Sequence, residues 1–356
     1  MRHVFAAALA ALAIGLFAGC SEETTPTTVT APRNPIIPPT STTANPVLLL
    51  EDYSKKQVLP YDNWWNLDIS RAPVDAKSAT YIAWINAQSG SNDQRLHPDM
   101  APPPYGLPYI GVSGSQPLSR VTFTTYASES DAGAPGAPIG YPIPEEAKYQ
   151  PNYIENAVPG GNTSGDRHML LVDRDRWLLF ELYQARWTGS RWEAASGAVF
   201  DLKTNHRRPE GWTSTDAAGL AVFPGLVRYE EVYDDQFAIT HAFRVSVKRT
   251  NGYVWPASHA AGSTAGAPPL GTRLRLKASK NISGYPAPIR RIFQAMKTYG
   301  LIIADNGGNM YVTGTMDKRW DNGLLNPAFE SLSASDFEVI QLGWGARPGS
   351  TTGVSD

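Results

Sequence analysis

Between about Pro46 and Trp344, apolar residues recur mostly at every second position, the spacing of strands that bury one face. Thr272-Arg273-Leu274-Arg275-Leu276-Lys277-Ala278 alternates strictly. It places Arg and Lys on one face and Leu and Ala on the other, which predicts a half-buried antiparallel strand. Strands are also predicted over 166–172, 177–185, 197–202, 226–232 and 242–247. Leu301-Ile302-Ile303-Ala304 and Met310-Tyr311-Val312-Thr313 flank Asp305-Asn306-Gly307-Gly308-Asn309. That arrangement reads as a hairpin whose turn uses glycine where positive φ is needed.

Helical spacing is rarer. Ile289, Ile292, Phe293 and Met296 fall on one face, and Arg290, Arg291 and Lys297 on the other, with Pro288 suited to the start and Gly300 to the end. A weaker helix is predicted from Ser78 to Asn86, with Tyr81, Ile82 and Ile85 inward. No repeat of solenoid or propeller period is present. His97 to Pro144 reads as loop-dominated, and loops of that length in a compact domain are often functional. The predicted fold is mainly β: an antiparallel β-sandwich, jelly-roll-like, with one or two packed helices and long loops. Strands do not alternate with helices, which argues against a parallel α/β fold.

Composition narrows the function classes. The 356 residues are 42% hydrophobic and 18% charged, as in globular proteins. With 31 Gly and 29 Pro the chain favours turns and short strands over long helices. A net charge of −2 gives no electrostatic footprint for nucleic acid. The single cysteine, Cys20, rules out an intramolecular disulfide and a cysteine-based zinc site.

The N-terminus accounts for that cysteine. Met1-Arg2-His3 is a short basic region and Val4 to Phe17 is apolar or small throughout, as in a signal peptide. Phe17-Ala18-Gly19-Cys20 then resembles the lipobox of bacterial lipoproteins, although Phe17 stands where an aliphatic residue is usual. The resemblance implies a diacylglycerol on the Cys20 thiol and cleavage just before it. Ser21 to Asn45 is Thr- and Pro-rich, too poor in apolar side chains to form a core. The expected organisation is a signal peptide over 1–19, a lipid-anchored tether over 20–45, one β-rich domain over 46–344 and a disordered tail over 345–356. The expected location is the bacterial cell envelope, with the lipid bilayer as partner through acylated Cys20 and a monomeric domain.

Familiar catalytic signatures are absent: no Gly-x-Ser-x-Gly, no His-Glu-x-x-His, no phosphate-binding or dinucleotide glycine loop. Polar groups set among aromatics remain. Asp166-Arg167-His168 opens one predicted strand. Glu181 interrupts the apolar run 177–183, sharing a face with Leu179 and Tyr183. Asp201 ends the next strand, and Trp212 precedes the small, polar segment Thr213 to Leu220 with Asp216 at its centre. Glu231, His241 and Arg244 follow, then Trp255, His259 and Trp320. Spacings of His168, His241 and His259 match no local metal motif. Flat rings beside carboxylates suit sugar binding, because a ring face packs on C–H groups while polar groups bond hydroxyls.

The expected function is therefore a surface-tethered carbohydrate-active enzyme, a glycoside hydrolase or polysaccharide lyase, needing two carboxyls and no cofactor or metal. Glu181 and Asp216 are the first choice for that pair, with Asp201 or Glu231 as substitutes. His168, His241 and Arg244 would orient the substrate, and Trp212, Trp255, His259 and Trp320 would bind it. A non-catalytic glycan- or envelope-binding lipoprotein is the alternative, and a structural envelope protein the third reading. From Asp166 to Asp321 the chain also resembles secreted bacterial proteins of unknown function, through Gly165-Asp166-Arg167-His168, Ser214 to Leu220 and Tyr253-Val254-Trp255-Pro256. That likeness brings no activity with it.

Overall fold

Short runs of alternating residues form fourteen strands in three sheets among the described residues. The computed structural model describes residues 47–88, 94–236 and 238–346, which belong to one compact unit, Ser41–Asp356. The expected signal peptide, Cys20, the whole of the tether and residues 347–356 lie outside the described residues.

The strands are β1 Leu48–Leu49, β2 His97–Ala101, β3 Tyr109–Val112, β4 Val121–Phe123, β5 Met169–Asp173, β6 Leu178–Tyr183 and β7 Arg186–Trp187. They continue with β8 Trp192–Ala194, β9 Ser196–Asp201, β10 Phe243–Val247, β11 Arg273–Leu276, β12 Leu301–Asn306, β13 Tyr311–Met316 and β14 Phe337–Val339. Helices are α1 Ser78–Ala87, α2 Tyr229–Tyr233, α3 Ala287–Thr298 and α4 Asn322–Glu330. One sheet runs β1-β3-β5-β6-β9, a second β14-β11-β12-β10-β13-β2, and a small third β4-β8-β7.

The fold is mainly β, but its sheets are mixed and not purely antiparallel. The β3/β5, β4/β8, β10/β12 and β2/β13 pairs are parallel. The five-stranded sheet is covered on both faces. Leu170, Val172 and Leu179 join the main core, which also holds Phe243, Val245 and Ile303 of the six-stranded sheet. Leu171, Phe180 and Leu182 pack on the opposite side with Tyr141 and Trp192. Double burial explains why β5 and β6 read as almost continuous apolar runs.

Both expected helices are present. Ile289, Ile292, Phe293 and Met296 of α3 are buried, as are Tyr81, Ile82 and Ile85 of α1. Three local expectations need correction. The predicted strand 226–232 is extended only at its start, where Val227 makes a single parallel bridge to Gly314, and then turns into α2: Glu230 and Glu231 fall in the helix's first turn, where its positive dipole end favours acids. The alternation in β11 does not mark a solvated face, because Arg273 and Arg275 are both buried. Their guanidinium groups reach main-chain carbonyls of the covering segment: Arg273 Nη2 donates to Trp64 O at 2.6 Å and Arg275 Nη1 to Ala72 O at 2.9 Å. The predicted hairpin is also absent. β12 and β13 both form, but β10 lies between them, parallel to β12 and antiparallel to β13. The region 97–144 is loop-dominated as expected, and within it lie the short strands β2, β3 and β4.

Candidate functional site

The insertion of β10 between β12 and β13 creates a polar row on the six-stranded sheet. Val245 and Ser246 of β10 face Val312 and Tyr311 of β13, so the register carries Arg244 to Thr313, and Arg244 Nη1 donates to Thr313 Oγ1 at 2.8 Å. Thr313 in turn faces Asp99 on β2. On the other side the β10/β12 pairing slips by one residue: Val245 faces Ile303, but Ser246 faces Asp305. Ala304 is the extra residue of a bulge, and the bulge turns Asp305 onto the face of Ser246 and Arg244. Arg244 Nη2 donates to Asp305 Oδ2 at 2.9 Å.

The segment Thr213 to Leu220 supplies the floor. Its turn closes through Gly219 N donating to Asp216 O at 2.9 Å, and Gly219 has φ +71° with Ser258 Oγ where a Cβ would sit. Asp216 is buried and grips Arg244 at both oxygens, 2.8 Å from Nε and 2.9 Å from Nη2. The neighbouring Thr215 carbonyl accepts from His168 Nε2 at 2.9 Å, while His168 Nδ1 lies 2.8 Å from Glu155 Oε2. Both acceptors lack a hydrogen to give, so both ring nitrogens carry one and His168 is an imidazolium. Burial alone would lower its pKa, but the Glu155 charge and hydrogen bond push it up to about 9. Glu155 is held below the usual carboxylate range despite burial, because His168 pairs with it.

A cavity of about 340 Å³ opens over this face, and its wall carries Asp99, Glu155, Asp166, His168, Arg244 and Asp305. The Asp99 carboxyl accepts no hydrogen bond from any described residue, although its main chain pairs with Thr313 of β13. Burial pushes its carboxyl up to about 6, with Glu155 adding to the rise and Arg244 and His168 opposing it. Asp305 is pushed up to about 6 by burial, against the pull of Arg244 and with a contribution from Asp216. Two carboxyls whose proton affinity is raised to about 6 therefore share one solvent-reachable hollow with two fixed cations. Such a pair can give a proton and take one, the requirement for general acid–base chemistry.

The residues expected from the sequence divide sharply. His168 and Arg244 line this cavity, with Asp216 beneath them. Glu181 lies behind it, fully buried, and acts as a staple: it accepts from Thr215 Oγ1 at 2.9 Å, Val222 N at 2.9 Å and Phe223 N at 2.9 Å. Burial raises its carboxyl to about 7, against the pull of those hydrogen bonds. His259 Nδ1 pairs with Ala217 O at 2.9 Å, just beyond Asp216. Glu231 and His241 are elsewhere, joined at 3.0 Å and bonded to Arg228 beside a smaller cavity of about 280 Å³. Asp201 and Trp212 line a separate groove of about 790 Å³ next to the edge strand β9. Trp255 packs edge-on against Trp64, and Trp320 packs on Tyr229 with Nε1 donating to Thr315 O at 2.9 Å. These two rings, with Trp64, Trp65 and Trp192, are buried. The expected aromatic sugar platform is thus core, except for Trp212. Among the described residues no group of three or more His, Cys, Asp or Glu could hold a metal ion.

Asp99, Glu155 and Asp305 were not singled out by sequence reasoning. The signals were present but weak: Asp99 and Glu155 sit in or beside the long loop-rich stretch, and Asp305 opens a Gly-Gly segment read as a turn. No protein-family model, curated protein or solved structure matches the chain.

Proposed function

We propose that this cavity hydrolyses glycosidic bonds of an extracellular glycan, with Asp99 and Asp305 as its acid–base pair. The observation that carries the reading is the presence of two carboxyls raised to about 6 in one cavity. Arg244 and His168 hold the surrounding charges in place, and each is tied by buried partners that leave it no role as a proton shuttle. Asp216 positions Arg244, and Glu181 positions the loop that carries Asp216. This pair replaces Glu181 and Asp216, the first choice from sequence. Shared core residues of the two larger sheets support a sandwich of two layers; the parallel pairs depart from a jelly roll.

Turnover on a panel of chromogenic aryl glycosides and reducing-end release from envelope and plant polysaccharides test the reading. Asp99→Asn and Asp305→Asn should each lower turnover by about 10²–10⁴-fold. Binding without turnover would leave the non-catalytic alternative, for which Tyr311 at the cavity, stacked on His97 at 4.7 Å, offers one flat ring. Export and anchoring through acylated Cys20 complete the proposal. Cys20→Ser should abolish incorporation of labelled fatty acid.

A further inference from the structure

We propose that the cavity selects a glycan unit bearing a free, protonated amine, a 2-amino sugar, over neutral, N-acylated or acidic units; this rests on the hydrolytic reading above. Charge comes first. Asp99, Glu155, Asp166 and Asp305 line the wall and Asp216 lies beneath, against only His168 and Arg244. Both cations are already engaged. His168 has one ring nitrogen on Glu155 and the other on Thr215 O, and all three Arg244 nitrogens donate, to Asp216, Asp305 and Thr313.

Hydrogen bonding points the same way: two of the wall's carboxylates are under-used acceptors. The Asp99 carboxyl receives no hydrogen bond from any described residue, and among the described residues the Asp166 carboxyl receives only the Tyr183 hydroxyl, at 3.3 Å. Ser246 is not a free donor, since its hydroxyl is given to Gly308 O at 2.7 Å. A ligand must therefore bring donors and positive charge together. Sugar hydroxyls supply the donors, and an ammonium supplies both. A uronate, sulfate or phosphate would meet like charge with no free cation to receive it. An N-acyl group would remove the charge and add an acceptor where acceptors already crowd. Tyr311, 39% exposed, offers its ring to the apolar face of the sugar.

The preference is coupled to pH through Asp99. The groups facing it are Glu155, Asp166, Arg244 and His168, and protonation of Asp99 removes one of the charges an ammonium would meet. The advantage of the amine should therefore shrink as pH falls below about 6.

The test is calorimetric titration at about pH 7 with four tetrasaccharides: the β-1,4-linked tetramers of glucosamine, N-acetylglucosamine and glucose, and the α-1,4-linked tetramer of galacturonic acid. Each is also assayed for reducing-end release. Glucosamine tetramer should bind at least about tenfold tighter than the glucose tetramer, and the margin should shrink in high salt, in Asp99→Asn and in Asp166→Asn. Equal or tighter binding of the neutral or acidic tetramer overturns the selection. Cleavage of neutral glycan with no preference for the amine keeps the hydrolytic reading and removes this one. Preferred binding of the amine without cleavage does the reverse. Absence of binding by all four removes both.

Discussion

Replacing Glu181 by glutamine and, separately, by leucine distinguishes a staple from a catalyst. Leucine leaves the Val222 and Phe223 amides and the Thr215 hydroxyl without their acceptor. At roughly 1–3 kcal/mol for each orphaned buried group, the loss is on the order of 3–9 kcal/mol, comparable with the whole stability of a domain. Glutamine keeps one oxygen toward the two amides, and its NH₂ can donate to Thr215 Oγ1, so its cost near pH 7 is about 1 kcal/mol or less. The pH dependence sharpens the contrast. The carboxyl rises from 4.5 to about 7 on folding, so the folded chain holds this proton more tightly than the unfolded chain does. Wild-type stability therefore falls as pH climbs from about 4.5 through about 7, by an order-of-magnitude figure of about 3 kcal/mol. Glutamine lacks that slope. Urea unfolding at about pH 5, 7 and 9 should show Glu181→Gln gaining on the wild type by roughly that amount as pH rises, with turnover near the wild-type level. A loss of turnover beyond about 10²-fold at unchanged stability would refute the reasoning and return Glu181 to the catalytic pair.

Three further outcomes follow from the same geometry. His168 is raised from 6.5 to about 9, so its contribution is complete below about pH 6.5 and is lost as pH rises through about 9. Melting curves of His168→Gln should lack that decline, and an unchanged slope would contradict the imidazolium assignment. Glu231 is held near 2 by Arg228 and His241 despite burial, so its contribution is present above pH 4.5 and fades as pH falls through about 2. Glu231→Gln should cost roughly 3–5 kcal/mol at pH 7 while turnover per folded molecule stays unchanged, because the residue lies away from the cavity. Finally, Asp99 and Asp305 lie on strands three positions apart, about 14 Å at the backbone, with the Arg244–Thr313 contact between them. An inverting pair spans roughly 6.5–9.5 Å between carboxyls and a retaining pair about 5–5.5 Å, so the two side chains must lean toward each other over Arg244, and proton NMR of the first product should show inversion of the anomeric centre; retention would contradict this pairing.

Strongly periodic segments were legible from the sequence because their patterns are local. The α3 stripe and the runs of β5 and β6 needed only their own spacing. What escaped depended on partners distant in sequence. The Arg-Leu-Arg-Leu run of β11 looks solvated until residues 64–72 cover it and offer carbonyls to the guanidinium groups. Glu231 looks like one member of an alternating strand, yet the short helix that forms there brings Arg228 to it at i, i+3. In the site, Arg244, Asp216 and His168 were recognisable as polar groups in apolar surroundings. Asp305 was not, since strict alternation along β12 would turn it to the face opposite Arg244. Only the slip at Ala304, set by pairing with β10, brings it round. Asp99 was hidden in a segment whose strand character depends on β13. The tryptophans misled because a ring next to a charge in sequence can still be buried in space, as Trp65 and Trp192 are.

Carbon-13 NMR titration of the aspartate side-chain carboxyls, with Asp99→Asn and Asp305→Asn for assignment, tests the acid–base pair most directly. Two aspartates should titrate with midpoints near 6, one resonance vanishing in each variant and the other moving, since each responds to the charges around Arg244. Midpoints below about 4.5 for both would contradict the account, because the cavity would then hold no proton to give at neutral pH.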